Sequence, residues 1–257
     1  MPVLSLGSMK RLLAIIALFL VLAFSYVGFT VATLPDVQSL KSKRPETTAL
    51  MEQRAQENGT KPRSIRAWVS YNNISPHLRN AVLVAEDGAF FQHSGYDVHE
   101  LKESVKRNWR EKRFARGAST ITQQLAKNLY LSTSRNPLRK IREFFIAQEL
   151  ERHLTKQRIF EIYLNVIEWG DGIYGIEPAA QTYYGKSASE LLPEQAAILA
   201  AMIPNPRRYT PIRNLRYLES RKGVILQRLV SYKYLTTDEY DEARARPVVF
   251  RQLSQVQ

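Results

Sequence analysis

Residues 136–165 read NPLRKIREFFIAQELERHLTKQRIFEIYLN, and this stretch is the most informative about the fold. Asn136 suits an N-cap and Pro137 a first helical position, so the spacing predicts a helix that continues to about Leu154. Apolar residues occupy two opposite sides of this helix: Ile146, Ala147, Leu150 and Leu154 on one, and Leu138, Ile141, Phe144 and Phe145 on the other. A helix that is apolar on two sides is expected to be buried. Apolar spacing from residue 65 to residue 250 is mostly helical, which predicts a mainly α domain.

Glu143 falls on the first of these two apolar sides. A buried carboxylate needs a partner, and Arg139 and Lys140, about one turn earlier, could supply it. Two interpretations stay open at this point. Glu143 is either half of a structural ion pair or an acidic group of a functional site.

Residues 86–97 read EDGAFFQHSGYD and combine carboxylates with aromatic side chains. Ser75 and Pro76 favour a helix start, and Gly88 favours a stop, so Glu86 is predicted to lie in the last helical turn. The negative helix end and the aromatic neighbours are expected to raise the pKa of Glu86, which suits a general base. The alternative is an ordinary acidic residue exposed at a helix end.

Residues 116–131 read RGASTITQQLAKNLYL and predict another helix start. Thr120 and Gln123 have the spacing of a capping box. Gln124, Lys127 and Asn128 then share one helix face, close to the hydroxyl of Ser119 and to the free amides of the helix start. These groups suit a sugar phosphate, although a solvated polar face has the same pattern.

Composition narrows the classes of partner and site. The chain has 257 residues with 37 basic and 24 acidic side chains, a net charge of +13 and a pI near 9.9. This balance favours polyanionic partners such as nucleic acid, an anionic membrane surface or phosphorylated substrates. The chain has no cysteine, which excludes disulfides and thiolate metal sites.

The N-terminal region predicts a membrane anchor. Residues 12–34 are 23 residues without a formal charge, long enough at about 1.5 Å per residue to cross a hydrocarbon core of about 30 Å. This length favours an uncleaved signal-anchor over a cleaved signal peptide. Basic residues flank both ends, so charge alone does not orient the span. Residues 35–64 are polar and rich in proline, as expected for a linker, and residues 66–71 (RAWVSY) are the best candidate strand.

In chain order, the quoted segments at 86–97, 116–131 and 136–165 resemble the consecutive signature motifs of the peptidoglycan glycosyltransferases, and EDGAFFQHSGYD corresponds to the first motif. Two further blocks match the same family, GIYGIEPAAQTYYGKSASELLPEQAAILAAMIPNPRRYTP at 172–211 and RKGVILQRL at 221–229. The resemblance covers about residues 65–245. It implies a mainly α, lysozyme-like fold with a large helical lobe and a small membrane-proximal lobe.

The resemblance also implies roles for individual residues. Glu86 would take the proton from the 4-hydroxyl of the acceptor sugar, and Glu143 would assist the leaving pyrophosphate, directly or through a divalent cation. The residues that would hold sugar and phosphate groups are Ser119, Gln124, Lys127, Asn128, Arg139 and Lys140. Those that would shape the first motif are Asp87, Phe90 and His93. Ala118 departs from the family pattern, which usually has a second glycine there.

The implied reaction joins lipid II to a growing glycan chain. The chain, linked to a polyprenyl pyrophosphate, would be transferred with inversion to the 4-hydroxyl of lipid II. A divalent cation, magnesium or manganese, is the expected cofactor, with no organic cofactor. The expected partners are lipid II, the polyprenyl-pyrophosphate-linked glycan, membrane lipids and the cell-wall synthesis machinery, and no nucleic acid.

These observations and the resemblance together predict the organisation of the chain, and the resemblance implies that the domain faces the periplasm. A short cytoplasmic tail (1–11) precedes a single transmembrane helix (12–34) and a linker (35–64). A glycosyltransferase domain (65–250) follows on the periplasmic side of the inner membrane, and the chain ends in a C-terminal tail (251–257). The absence of an S-x-x-K motif predicts an enzyme without transpeptidase activity. The basic run 102–117, with Trp109 and Phe114, is expected either to contact anionic headgroups or to be a solvated helix.

Two alternative functions remain on the sequence alone. A basic, membrane-anchored nucleic-acid-binding protein would explain the net charge, but it would leave Glu86 and Glu143 without a role. A lysozyme-like glycan-cleaving enzyme would need a protonated acid, which the basic residues around Glu143 oppose.

Overall fold

The computed structural model describes residues 6–97, 102–103, 106, 119–133 and 136–251. Its helices are α1 (Leu6–Ala32), α2 (Ala49–Glu57), α3 (Pro76–Glu86), α4 (Ile121–Tyr130), α5 (Pro137–His153), α6 (Lys156–Val166), α7 (Ile176–Tyr184), α8 (Pro193–Met202), α9 (Pro211–Ser231) and α10 (Thr237–Ala245). Two short strands, β1 (Glu168–Gly170) and β2 (Ile173–Tyr174), pair antiparallel. The prediction of a mainly α domain is therefore confirmed.

The core forms where α3, α8 and α9 pack together and where α4 packs between α5 and α6. From Glu194 to Met202, every residue of α8 is buried. The side chains of α6 from Ile162 to Val166 are also fully enclosed, and Tyr163 is among them. Burying this much apolar surface is the main force that holds the helices together. The predicted division into two lobes stays a prediction.

The predicted helix starts are mostly confirmed. Thr120 and Gln123 form the expected capping box, and the side chain of Asn136 accepts a hydrogen bond from the backbone N–H of Leu138. Ser75 precedes α3, but its hydroxyl donates to the carbonyl oxygen of Leu191, at 2.8 Å, instead of capping the helix. Because capping depends on neighbours in sequence, it is a feature that sequence predicts well.

The predicted strand at residues 66–71 is wrong. The backbone N–H of Val69 donates to the side-chain oxygen of Asn165 at 2.9 Å, and its carbonyl accepts from the amide nitrogen of Asn165 at 2.8 Å. The N–H of Tyr71 donates to the carboxylate of Glu161 at 2.8 Å. This segment therefore satisfies its backbone with side chains of α6 rather than with a neighbouring strand.

Part of the predicted linker is folded. Residues Ala49–Glu57 form α2, which packs against α4 and buries Leu50, Met51 and Ala55. The amide group of Gln53 also exchanges two hydrogen bonds with Thr133, directly after α4. The folded domain thus begins before residue 65, because three apolar side chains are enough to hold a short helix on a larger core.

Helix α1 contains an apolar span, Leu12–Ala32, with a mean hydropathy of 2.6 and none of its most apolar window buried. Its length and composition are sufficient to cross a membrane. The end of the predicted span differs by two residues, since α1 ends at Ala32.

The expectation that α5 is buried on two sides is wrong for one of them. Ile146, Ala147 and Leu150 are fully buried against α4 and α6. On the opposite side, Leu138, Ile141 and Phe144 are exposed, with 46, 38 and 38% of their surface accessible. This second side lies next to α1, so its apolar character serves something other than the protein core.

Candidate active site

Glu86 is the last residue of α3, as predicted, and it is half-buried. The side-chain amide of Gln124, on α4, donates to Oε2 of Glu86 at 2.8 Å. The oxygen of the same amide accepts a hydrogen bond from the hydroxyl of Tyr163, on α6, at 2.9 Å. These two bonds form a chain from Tyr163 through Gln124 to Glu86, and they orient the carboxylate from three different helices.

Tyr163 is a donor whose role sequence analysis did not predict. The side chain is completely enclosed, and burial raises the pKa of its phenol well above the usual range, with smaller contributions from Glu86 and Asp87. The hydroxyl therefore stays protonated and remains a donor at the pH values at which proteins work. The signal in the sequence is weak, because a tyrosine within IFEIYLN reads as one more apolar core residue.

Asp87 links the first motif to the start of α4. Its carboxylate accepts from the backbone N–H of Ile121 at 2.9 Å and lies 2.9 Å from Nε2 of His93. The hydroxyl of Thr120 donates to the carbonyl of Gly95 at 2.7 Å and closes the same junction. Asp87 and His93 thus hold the end of α3 and the start of α4 together, which supports their predicted role in shaping the first motif.

Phe90 is a core residue that anchors this loop. It is fully buried, its ring centre lies 5.6 Å from that of Phe160, and the His93 ring meets it edge-on at 6.2 Å. Phe91, its neighbour, is instead exposed. The two phenylalanines therefore have different roles, and of the two only Phe90 packs into the core and anchors the loop.

Glu143 is buried on α5 between two cations, as its position in sequence predicted. Nη1 of Arg139 donates to one carboxylate oxygen at 2.6 Å, and Nζ of Lys140 donates to the other. Nζ of Lys140 also donates to the hydroxyl of Ser119 at 3.2 Å, just before α4. Arg139, Lys140, Glu143 and Ser119 are thereby collected in one cluster, which is called the cation cluster below.

Lys127 interacts electrostatically with both Glu86 and the cation cluster. Burial lowers the pKa of its ammonium group, Glu143 raises it, and Arg139 and Lys140 lower it. Glu86 also raises it, so both glutamates act on the same ammonium group. Asn128 follows on the same helix and is buried. The structure thus brings together the predicted residues on α3, α4 and α5.

Some predicted features lie outside the described residues. They are Ala118 and most of the basic run 102–117, including Trp109 and Phe114.

The described residues do not fit a resident divalent cation. Among them, no group of three or more histidine, aspartate or glutamate side chains is close enough to hold one. Both oxygens of Glu143 are already bonded to cationic side chains. A metal ion at Glu143 would have to displace Arg139 or Lys140.

A model of the transglycosylase family matches residues 53–230, which begins within α2. Several relatives bear the name biosynthetic peptidoglycan transglycosylase, and three of them compare with this chain as follows. The one from Methylobacillus flagellatus is 52% identical over 162 residues (63% of this chain and 71% of the relative). The one from Laribacter hongkongensis is 49% identical over 195 residues (75% and 85%), and that from Nitrosospira multiformis is 46% identical over 190 residues (73% and 83%).

A crystal structure of penicillin-binding protein 1A from Haemophilus influenzae is 34% identical and matches 52% of this chain and 17% of its own chain, with a TM-score of 0.36. The match to this structure is partial, and the assignment rests on the sequence relatives. The family model spans most of the folded domain, and the relatives align along most of their own length. The chain therefore belongs to the transglycosylase family.

Proposed function

We propose that this protein polymerises lipid II into the glycan strands of peptidoglycan. The growing chain, linked to polyprenyl pyrophosphate, is transferred with inversion to the 4-hydroxyl of lipid II. The observation that carries this proposal is the carboxylate of Glu86, oriented by Gln124 and placed in the same site as a set of cations. Membership of the transglycosylase family supports the same reaction.

Glu86 acts as the base. Its carboxylate accepts the proton of the 4-hydroxyl as that oxygen attacks the anomeric carbon of the growing chain. Inversion at one carbon requires one positioned base, and the hydrogen bond from Gln124 holds the carboxylate in a fixed orientation. The proton is then passed to solvent from the half-buried carboxyl group.

The cation cluster and Lys127 stabilise the leaving pyrophosphate. Pyrophosphate leaves as an anion, so it needs compensating positive charge more than a proton donor. Glu143 holds Arg139 and Lys140 in place through both of its oxygens, while the side chain of Lys140 stays about half exposed and accessible to a ligand. Glu143 thus assists departure of the pyrophosphate through the two cations that it orients.

A divalent cation, magnesium or manganese, enters this proposal only as a counter-ion of the pyrophosphate oxygens. No step assigned to Glu86 or to the cation cluster depends on it. Its contribution would be additional neutralisation of the leaving group.

Neither alternative function is supported by the site. Glycan cleavage with a neutral leaving group would need Glu143 as a protonated acid, whereas both of its oxygens bind cations. A nucleic-acid-binding protein would have no use for a half-buried carboxylate that is held by Gln124, which Tyr163 in turn orients.

In the proposed arrangement, α1 crosses the inner membrane once and the catalytic domain lies on the periplasmic side. Lipid II and the growing chain are both held in the bilayer by their lipid tails. Anchoring the enzyme in the same bilayer confines catalyst and substrate to one surface, which raises their encounter rate. Association with the wider cell-wall synthesis machinery is a further proposal.

The test is lipid II polymerisation by the detergent-solubilised protein, comparing wild type with Glu86→Gln. The variant keeps the shape of the side chain and removes the basic carboxylate, so its rate should fall by a factor of about 10² to 10⁴ while lipid II binding is retained. Glu242→Gln is the matched control, because the Glu242 side chain is 74% exposed on α10. Equal rates for Glu86→Gln and wild type would refute the role of Glu86. No polymer from wild type would refute the proposed function.

A further inference from the structure

The backbone that carries Glu86 is also held by α9, a helix that packs against α3. Nη1 of Arg228, in the last turn of α9, donates to the carbonyl oxygen of Val84 at 2.9 Å. Val84 lies two residues before Glu86, in the last turn of α3. The hydrogen bond from Gln124 orients the carboxylate of Glu86, whereas Arg228 acts on the main chain of the same turn. The end of α3 is therefore constrained through a side chain and through its backbone.

The carbonyl of Val84 belongs to the group that a helix cannot satisfy by itself. The last four carbonyls of an α-helix lack a donor from a following helical residue. The N–H of Asp87 still bonds to the carbonyl of Leu83 at 2.8 Å, but the chain then leaves the helix, because φ and ψ of Asp87 are −162° and 77°. Arg228 supplies the next donor, and its positive charge suits the negative end of the helix dipole. Arg228 thus stabilises the helix end at which Glu86 lies.

Gly88, two residues after Glu86, lies against the C-cap residue of α9, Tyr232. A Cβ atom at Gly88 would lie 2.3 Å from the hydroxyl oxygen of Tyr232 and 3.0 Å from its Cζ, closer than ordinary van der Waals contact. The φ of Gly88 lies outside the left-handed region, so its backbone would accept alanine. Glycine at this position therefore serves the close approach of Tyr232 rather than a special backbone conformation.

The turn after α9 holds Tyr232 in this position. Lys233 adopts a left-handed conformation, with φ at 60°, which residues with a side chain rarely adopt. The N–H groups of Lys233 and Tyr234 each donate to a carbonyl in the last turn of α9 at 2.8 Å. The ring of Tyr234 stacks with that of Tyr232, with centres 6.2 Å apart and an angle of 17° between the planes. Since such a backbone persists only where its surroundings fix it, the turn presents Tyr232 to Gly88 as a fixed side chain.

We propose that Arg228 and Tyr232 are positioning residues for the base. Arg228 fixes the last turn of α3, and Tyr232 fixes the chain directly after it. Their contacts, at Val84 and Gly88, lie two residues before and two residues after Glu86. Both residues act through the backbone of this segment and not by contact with substrate. The inference rests on the proposed role of Glu86.

The two contacts matter because general-base catalysis depends on a short distance between the base and the proton that it accepts. A misplacement of about 1 Å can cost about 100-fold in rate. Helix ends fray, and Glu86 is the last residue of its helix. Gln124 restrains the carboxylate but does not bond to the main chain of this turn. The contacts with α9 therefore preserve the distance between the carboxylate and the sugar hydroxyl.

A methyl group at position 88 tests the contact with Tyr232. Gly88→Ala places this group next to the Tyr232 hydroxyl, so either the loop after Glu86 shifts or the tyrosine ring leaves. In both cases kcat for lipid II polymerisation should fall by about tenfold, with KM within about twofold of wild type. Gly223→Ala is the matched control, because a Cβ at Gly223, on α9, meets no neighbouring side chain or element within 4 Å.

A second substitution provides a rescue that a general loss of stability would not give. Tyr232→Phe removes the hydroxyl oxygen, which is the atom nearest to the added methyl group. In the Gly88→Ala background it should restore kcat by about threefold or more, because effects of residues in contact are coupled. Wild-type kcat in Gly88→Ala would overturn the role of Tyr232. A loss that Tyr232→Phe does not relieve would overturn it as well.

Charge-removing and charge-conserving variants test Arg228. Arg228→Gln removes the charged donor to Val84 and should lower kcat by about tenfold with KM near that of wild type. Arg228→Lys keeps the charge and should recover part of this loss. Arg244→Gln is the control of equal charge change, because Arg244 donates to the hydroxyl of Tyr240 within the exposed surface of α10. Equal kcat values for Arg228→Gln and Arg244→Gln would overturn the role of Arg228.

Hydrogen exchange of the detergent-solubilised protein, followed by NMR, separates this inference from the proposed function because it needs no substrate. Arg228→Gln should speed exchange of the Asp87 N–H, which makes the last hydrogen bond of α3, relative to wild type and Arg244→Gln. Unchanged exchange in Arg228→Gln would overturn the inference. Faster exchange, together with no lipid II polymerisation by wild type, would support the contact and refute the proposed function alone.

Discussion

The hydrogen bond from Tyr163 to Gln124 can be removed by deleting a single heavy atom, the phenolic oxygen. Tyr163→Phe deletes the hydroxyl that donates to Gln124 at 2.9 Å and leaves the buried ring in place. The ring centre of Phe160 lies 6.3 Å away, in a stacked arrangement that phenylalanine can also adopt. The variant therefore tests the orientation of Glu86 without changing any group that is expected to touch substrate.

The magnitude follows from the environment of the bond. Removing one partner of a buried hydrogen bond costs about 1 to 3 kcal/mol, because the remaining polar group loses its partner. Here that group is the side-chain amide oxygen of Gln124. The nitrogen of the same amide donates the hydrogen bond that orients Glu86. If about 1 to 2 kcal/mol of this cost falls on the orientation of Glu86, kcat decreases by about 5- to 30-fold. KM should stay close to that of wild type.

The direction of the tyrosine pKa shift adds a pH criterion. Burial raises the pKa of Tyr163 far above its usual range, so the wild-type hydroxyl remains a donor through neutral and moderately alkaline pH. Removing it should therefore lower kcat by the same factor across this range, without adding or removing a limb of the pH profile.

The assay is steady-state polymerisation of lipid II, with kcat and KM determined from pH 6 to pH 9, a range of about one unit or more on each side of neutrality. Tyr184→Phe is the matched control, because Tyr184 is also buried and its hydroxyl donates to the carbonyl of Gln195, at 3.3 Å, outside the Glu86 network. Both variants should lose some stability, but only Tyr163→Phe should lose kcat. A change in kcat of less than about twofold for Tyr163→Phe, or equal losses in both variants, would refute the reasoning.

Three further predictions concern stability, pH and metal. Asp87→Ala removes the carboxylate that accepts hydrogen bonds from the backbone N–H of Ile121 and from His93. The free energy of unfolding, measured by denaturant titration, should therefore fall by about 3 to 5 kcal/mol, and a loss below about 1 kcal/mol would contradict this. Burial lowers the pKa of Lys127, so the alkaline decline of kcat/KM should begin below the usual pH range for lysine. Lys127→Arg should move this decline to higher pH, because arginine stays charged. A decline at the same pH in both proteins would argue against a role for the Lys127 charge. Chelation of divalent cations should slow polymerisation without changing the unfolding temperature, because the described residues form no cluster that holds a metal. A lower unfolding temperature in the presence of chelator would reveal a resident ion.

Several features of this protein follow from sequence because they depend on neighbours along the chain. The capping box of Thr120 and Gln123 and the start of α5 at Pro137 were predicted from local spacing and are confirmed. The pairing of Glu143 with Arg139 and Lys140 is of the same kind, since residues three and four positions apart meet on one helix face. The length and apolar composition of α1 likewise predict a helix that can cross a membrane.

The tertiary structure decided the features that join distant positions. Tyr163, Gln124 and Glu86 lie on three helices, and no local pattern indicates that a buried tyrosine orients a carboxylate through an amide. In the same way, the backbone around Val69 lacks a strand partner because Asn165, far along the chain, supplies its hydrogen bonds.

The two apolar sides of α5 show the physical limit most clearly. In sequence, Ile146 and Ile141 are equivalent, because apolar spacing records avoidance of water and does not identify what replaces the water. The fold places Ile146 against α4 and α6, whereas it leaves Ile141 exposed beside α1. Sequence by itself therefore determined which side chains avoid water, and only the packing of α5 decided which of them lie in the core and which lie on an open apolar surface.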